Sequence, residues 1–235
     1  MMRCIFIDTP PLDVYSQMAL DEILVTKHLP GGAAMARFFN WGSFVPAATF
    51  GYAQFETSAR AQILAAGIKE YTRRPTGGGI VLHKDDLTFS LFFTRQNSDR
   101  PADIYAGLHR TIKEEFVKRG LALGVYNKAS DYRPAPGGVS SDCFTNPVSD
   151  DLLGADGQKV LGGAIRRFGD TVFYQGSLQL PLARGNKDYK EALTAAILKY
   201  FNAGHAREHV SNTVLNEVYT LAQNTYKTKQ WLEKF

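Results

Sequence analysis

Arg73-Arg74-Pro75-Thr76-Gly77-Gly78-Gly79-Ile80-Val81-Leu82-His83 places three consecutive glycines between two apolar runs. Without Cβ atoms, their N–H groups can approach a ligand closely or adopt positive φ. Two nucleotide-binding readings fail here. No Gly-Lys-Ser/Thr follows, and Gly-x-Gly-x-x-Gly is absent. The flanking residues 68–72 and 80–83 read as strands, so the glycines open no helix and offer an anion no helix dipole. A simple hairpin turn accounts for the glycines equally well. Arg74 before them and His83 after them are what a bare turn does not need.

Outward from this stretch, residues 3–7 alternate and 35–41, 47–52 and 87–93 also read as strands, residues 13–28 carry helical spacing, and 57–66 fit a short helix capped by Thr57 or Ser58 with Gly67 after it. Ile104, Leu108, Ile112 and Phe116 recur every four residues behind Pro101, which predicts a helix with one face in the core and no function implied. Residues 129–150 are rich in Pro, Gly, Ser and Asn and read as a long loop, the kind that is usually functional or disordered. Strands resume at 159–165 and 171–180, and helices at about 187–202 and 211–235. Short connections between successive strands favour an antiparallel or mixed sheet over regular βαβ winding. The expected class is α+β, a mixed and mostly antiparallel sheet flanked by helices.

Composition narrows the function. With 235 residues, 44% hydrophobic and 21% charged, the chain can bury a large core without metal or disulfide support. A net charge of +4, scattered apart from Arg73-Arg74 and Arg166-Arg167, excludes a supercharged nucleic-acid binder. It suits an acidic protein partner or a phosphate-bearing substrate. Cys4 and Cys143 form no CxxC, the apolar run after Met1 is too short for a signal peptide, and no stretch of 18 apolar residues occurs. The expectation is a cytoplasmic protein, with neither nucleic acid nor membrane as partner.

Two further constellations can carry chemistry. Cys143 lies in Ser140-Ser141-Asp142-Cys143-Phe144-Thr145-Asn146-Pro147, among polar loop residues that suit a nucleophile better than a packed thiol. Cys4, beside Ile5-Phe6-Ile7, reads as a core residue. In Gly157-Gln158-Lys159-Val160-Leu161-Gly162-Gly163-Ala164, a strand lysine runs into three small residues, a sign that something approaches the backbone closely. Its ammonium can then stabilise charge developing on an oxygen, though a solvent-facing strand lysine fits the pattern too. His28, His109, His205 and His209 show no ligand spacing, and His205 and His209 read as surface. Asp85-Asp86 and Asp150-Asp151 read as turns.

Together these residues resemble the lipoate–protein ligase A and octanoyltransferase family. Arg73 to His83 is similar to its Arg-Arg-x-Ser/Thr-Gly-Gly-Gly/Arg-x-Val-x-His signature, which Asp86-Leu87-Thr88-Phe89-Ser90 continues. Gln17-Met18-Ala19-Leu20-Asp21-Glu22, Trp41 with Gly51-Tyr52-Ala53-Gln54, and the Lys159 segment match further family motifs in order, and Tyr226 to Trp231 resembles its usual ending. Departures are Gln175, where the family usually has histidine, and Gly163 and Ile165 in place of Ser and Gln.

The resemblance implies a single biotin/lipoate ligase-like catalytic domain over residues 1–235, with an octanoyl or lipoyl group delivered to a carrier lysine. It implies Cys143 and Lys159 as catalytic residues, with Arg74, Gly77, Gly78, Gly79, His83, Gly162, Gly163 and Ala164 around the acyl group. Asp142-Cys143-Phe144-Thr145-Asn146-Pro147 resembles the Ala-Cys-Phe-x-x-Pro-Ser of octanoyltransferases that work through an acyl thioester. In that reading Lys159 holds the carbonyl oxygen and keeps Cys143 ionised. No cofactor or metal is needed, the donor is an acyl carrier protein, and the acceptor is a lipoyl-domain protein such as a glycine cleavage H protein or a dehydrogenase E2 domain. The alternatives are an ATP- and magnesium-dependent lipoate ligase, in which either aspartate pair could hold the ion, and a non-catalytic acyl-binding homologue. Against the ligase, Pro147-Val148-Ser149-Asp150-Asp151 lacks the arginine and asparagine of the ligases' Gly-Arg-Asn-Asp.

Overall fold

The computed structural model describes residues 2–95, 99–128 and 143–235. Strand β1 (Met2–Asp8) leads to α1 (Val14–Ile23), capped by Asp13, whose carboxylate accepts the Ser16 N–H at 2.7 Å. One wider turn extends it through Leu24–His28. Then follow β2 (Ala33–Phe38), β3 (Ala47–Phe50), α2 (Glu56–Ala65), β4 (Glu70–Arg73), β5 (Val81–His83) and β6 (Leu87–Thr94). Helix α3 (Pro101–Val117) opens on its proline. Short β7 (Gly124–Val125) and β8 (Leu152–Leu153) precede β9 (Lys159–Phe168) and β10 (Thr171–Leu178). The chain finishes with α4 (Lys187–Phe201), β11 (Ala203–His209), α5 (Asn212–Leu221) and α6 (Lys229–Leu232).

Eight strands form one sheet in the order β11-β1-β2-β6-β10-β9-β8-β7, and β4-β3-β5 form a second. Pairing is parallel for β11 with β1, β1 with β2 and β3 with β4, and antiparallel elsewhere. This is the expected mixed, mostly antiparallel α+β architecture.

The period of two along each strand builds two cores on opposite faces of the large sheet. Cys4, Phe6, Leu91, Phe93, Val172 and Tyr174 face α3 and α4, where Ile104, Leu108, Ile112 and Phe116 meet Ala192, Leu193, Ala196 and Ile197. Ile5, Ile7, Met35, Phe92 and Phe173 face α1 and α5. Each large side chain so buried contributes roughly 1.5–3 kcal/mol. A third cluster, Ala48, Phe50, Ala59, Ile63, Ile68 and Ile80, fastens α2 to the small sheet.

Four expectations need correction. β2 stops at Phe38, and Trp41 instead packs on His83 with ring centroids 4.7 Å apart. The helix expected over 211–235 continues past α5 in one wider turn, Ala222–Tyr226, and breaks at Lys227–Thr228 before α6; the Tyr226 carbonyl accepts the Thr72 hydroxyl at 2.7 Å and its own hydroxyl donates to Glu22. Residues 203–209, given no element above, form β11, a half-exposed edge strand whose polar sequence hides it; its His205 and His209 are exposed as expected. The glycine stretch is not a hairpin, because β4 and β5 flank β3 and do not pair with each other. Of the expected loop, residues 129–142 lie outside the described residues, whereas 143–150 make turns. Among the described residues no helix is long and apolar enough to cross a membrane.

Candidate active site

The glycine stretch crosses the end of β3 in contact with it. A Cβ on Gly51, just past that strand, would run into the Gly78 carbonyl, so Gly51 must stay bare. The Gln54 side chain accepts the Gly51 N–H at 2.7 Å and holds this turn. Gly78 takes φ +92°, a conformation that disfavours any other residue. The two arginines divide the work. Arg73 is buried and donates to the carbonyls of Tyr52 (2.5 Å), Gln54 (2.7 Å), Trp231 (3.0 Å) and Leu232 (2.6 Å), tying the last helix to the small sheet. Arg74 folds back onto the Gly77 carbonyl with Nε at 3.1 Å and Nη2 at 2.5 Å. It thereby fixes the loop it precedes.

Cys143 reaches this loop through its backbone N–H, which donates to the Ile80 carbonyl at 2.9 Å. Its sulfur faces Lys159, with Nζ to Sγ 3.8 Å. The lysine gets there through a bulge. Leu153 pairs with Lys159 and Leu152 with Leu161, which leaves Val160 with no partner on β8 and turns Lys159 onto the same face as Gly162. In a regular strand residues three apart point to opposite faces. A Cβ on Gly162 would overlap Lys159 Cε and Nζ, so the small residue found there makes room for the lysine itself.

The ammonium has three protons and three partners. They are Asp151 Oδ2 at 2.8 Å, the Cys143 carbonyl at 3.0 Å and Cys143 Sγ. Asp151 is fully buried. Its carboxylate also accepts the Tyr105 hydroxyl at 2.5 Å and the Val148 N–H at 2.6 Å.

Between the two sheets runs a narrow cleft, lined by Met18, Phe39, Thr49, Arg74, Val81, His83, Thr88, Cys143, Phe144, the Gly162–Ala164 segment and Gln175–Ser177. Many of these side chains are polar, yet the surface they present is almost wholly apolar, because their polar atoms are paired behind it. His83 bonds Thr49 Oγ1 through Nε2 and Asp86 through Nδ1, each at 3.0 Å. Burial alone would raise the Asp86 carboxyl. His83 and the hydroxyls of Thr88 and Ser177 outweigh burial and hold it below its ordinary range. Gln175 donates to Asp21 at 2.7 Å and accepts from Thr76 at 2.5 Å. Asp21 is in turn paired with Arg37 at 2.6 Å, so the α1 motif is wired to the glycine stretch.

Of the residues singled out in the sequence, the structure brings Cys143 and Lys159 together and sets Arg74, His83, Gly162, Gly163 and Ala164 on the cleft wall. Gly77 and Gly78 are exposed and Gly79 is buried, and none of the three lines the cleft itself. Gly78 is nonetheless adjacent, since a Cβ there would stand 3.7 Å from Cys143 Sγ. Asp151, read as a turn, is the lysine's partner. Tyr105 and His109 were absorbed into a helix read for its core face alone. Burial, opposed by a bond to a backbone carbonyl, pushes His109 down to about 3. Its Nδ1 therefore donates to the Asp150 carbonyl and its Nε2 accepts from Tyr174, each at 2.8 Å. The one signal for these residues was polarity at helical positions beside the apolar stripe.

Known proteins bear on this geometry. The octanoyltransferase LipM of Halalkalibacterium halodurans is 32% identical over 184 residues, 75% of this chain and 66% of that protein. That of Oceanobacillus iheyensis is 30% identical over 182 residues, 75% of this chain and 64% of its own. The chain thus spans just under two thirds of these relatives' length, although LipM of Anoxybacillus flavithermus, 27% identical, is matched over 96% of both chains. Among solved structures, a lipoate-protein ligase A bound with ATP superposes with a TM-score of 0.76 at 17% identity over 99% of each chain. A bi-partite lipoate protein ligase from Thermoplasma acidophilum gives 0.73 at 15% identity, over 99% of this chain and 96% of that one. At these identities the structural likeness is one of fold. The model of the lipoyl protein ligase A/B catalytic domain matches residues 13–224, and the chain belongs to that family.

Proposed function

We propose that residues 1–235 form one catalytic domain that moves an octanoyl or lipoyl group from a carrier-protein thioester, through a Cys143 acyl-enzyme, to a lysine of a lipoyl-domain protein. The observation that carries this reading is the sulfur of Cys143 at the wall of an apolar cleft with the Lys159 ammonium 3.8 Å away. In the first step the thiolate attacks the thioester carbonyl. A new S–C bond forms, the bond to the carrier's sulfur breaks, and the released carrier thiolate takes a proton from water. In the second, a neutral acceptor amine attacks the acyl-enzyme. The C–N bond forms, the Cys143 S–C bond breaks, and the surplus proton on nitrogen passes to solvent. Lys159 supports both steps by setting positive charge beside the sulfur and the carbonyl oxygen. The chain packs in the cleft at about 0.8 kcal/mol per buried CH2, and the net charge of +4 steers acidic carriers.

This chemistry calls for no cofactor. A ligase would need carboxylates turned toward magnesium and ATP, but Asp151 is held by Lys159, Tyr105 and Val148, and Asp86 by His83, Thr88, Ser177 and Arg184. The test is intact-mass measurement after incubation with an octanoyl–carrier thioester. The wild-type protein is expected to gain one octanoyl group and Cys143→Ser none as a thioester. An undiminished hydroxylamine-labile adduct in Cys143→Ser, or pyrophosphate exchange driven by free lipoate, would overturn the proposal.

A further inference from the structure

We infer that Tyr105, a helix residue beside the core stripe of α3, is a positioning residue for this reaction; the inference rests on the acyl-transfer reading for its catalytic consequence. The hydroxyl of Tyr105 makes two bonds that meet at the site. It donates to Asp151 Oδ1 at 2.5 Å and accepts the backbone N–H of Gly163 at 2.9 Å. Asp151 holds Lys159 through its other oxygen, and Gly163 belongs to the cleft wall. One oxygen atom thus sets the distance between the ammonium facing Cys143 and the wall along which the acyl group lies.

The arrangement is a brace and not a proton wire. Asp151 accepts from Lys159, Tyr105 and Val148, and all three donors point inward, so the carboxylate is satisfied as an anion. The donor to Tyr105 is an amide N–H, which passes no proton on. The neighbouring Tyr174–His109 chain ends on the Asp150 carbonyl. What remains is placement. The Tyr105 ring is held against the His109 ring with centroids 3.9 Å apart, which fixes where its hydroxyl stands. Burial, with Asp151 next to it, pushes the Tyr105 hydroxyl well above its ordinary value, so it stays a donor.

The test compares wild type, Tyr105→Phe and Ile112→Val, the last a core change on the same helix at a side chain that makes none of these hydrogen bonds. The first readout needs no acyl substrate: the rate of Cys143 alkylation by iodoacetamide, followed by peptide mass, with buried Cys4 as internal control. Tyr105→Phe is expected to slow it roughly three- to tenfold, because the lysine beside the sulfur loses its fixed place, while Ile112→Val leaves it unchanged. The second readout is single-turnover acylation by the octanoyl–carrier thioester. Here the maximal rate is expected to fall roughly 10- to 100-fold with half-saturation within about twofold. An unchanged alkylation rate in Tyr105→Phe, or an equal fall in Ile112→Val, overturns the inference. Slowed alkylation with no octanoyl adduct on the wild-type protein overturns the acyl-transfer reading and leaves the brace standing.

Discussion

Gly162→Ala puts one methyl group where Lys159 lies. The new Cβ would overlap the lysine's Cε and Nζ and come within 3.1 Å of Asp151 Oδ1, so the ammonium has to leave. Lys159 and Asp151 are 2% and 0% exposed, and removing one partner of such a pair strands the other charge at a cost of about 3–5 kcal/mol. Alanine recovers about 0.5–1 kcal/mol of the backbone freedom that glycine loses. The net loss is then about 3 kcal/mol, a fall in Tm of roughly 6–12 °C for a chain of this length. The diagnostic is a double-mutant cycle with Lys159→Ala, read from urea denaturation by the fluorescence of Trp41 and Trp231. Lys159→Ala alone strands the same carboxylate and costs a similar amount. Once the lysine is gone, the methyl group has nothing to expel, and the double variant should be within about 1 kcal/mol of Lys159→Ala. If the two losses instead add to within about 0.5 kcal/mol, the lysine is not what the glycine accommodates, and the geometry drawn for the catalytic pair is wrong.

His109 governs acid stability. Its folded value of about 3 lies below the ordinary 6.5, so between these the unfolded chain binds a proton that the folded one refuses, and stability drops as pH falls. At pH 4.5 the loss against pH 7 is about 2–3 kcal/mol, and His109→Gln should flatten this part of the stability–pH curve; an unchanged slope in urea melts refutes the assignment. Asp86 acts on the more acidic side. Because its folded value is depressed, its contribution is present above the unfolded value and disappears as pH falls through the folded one, and Asp86→Asn should remove that component from the acid melt. Arg73→Lys keeps the charge but cannot serve four carbonyls from one planar group, so a loss of about 2–3 kcal/mol is expected by thermal melting, against almost none if the arginine were only a surface cation. Gly78→Ala strains a backbone at φ +92° and drives a methyl to 2.7 Å from Arg74 Nη2, so octanoylation of Cys143 should slow at least tenfold by intact mass.

Much of the fold was legible because its signals are local. The apolar runs of β1 and β6 mark strands buried on both faces, and the four-residue spacing in α3 specifies both the element and the face it buries. β11 was not legible, because its residues, Ala-Gly-His-Ala-Arg-Glu-His, carry no apolar alternation; parallel pairing with β1 makes it a strand. Cys143 and Lys159 were legible because each is out of place, a thiol among loop residues and a lysine entering a run of glycines. Their partners were hidden for a physical reason. Tyr105 and His109 act through bonds to residues 41 to 58 positions away, and Asp151 meets Lys159 only across the turn from β8 into the bulged start of β9; neither pairing leaves a mark on local spacing.

The same logic accounts for the polar residues around an apolar cleft. An acyl chain needs a wall without unpaired donors, since each buried unsatisfied group costs about 1–3 kcal/mol. A wall of apolar side chains would meet that need, but so does a wall whose hydroxyls, imidazole and amide are saturated by one another, as Thr49, His83, Thr88, Gln175 and Ser177 are here. The second solution is the stiffer one, because moving any member breaks a bond to a buried partner. Under the proposed reaction that stiffness has a use. A thioester donor arrives already activated, so the protein need not assemble charges around a nucleotide. Its buried carboxylates are then available to hold the reacting residues still: Asp86 for His83, and Asp151 for the lysine that faces Cys143.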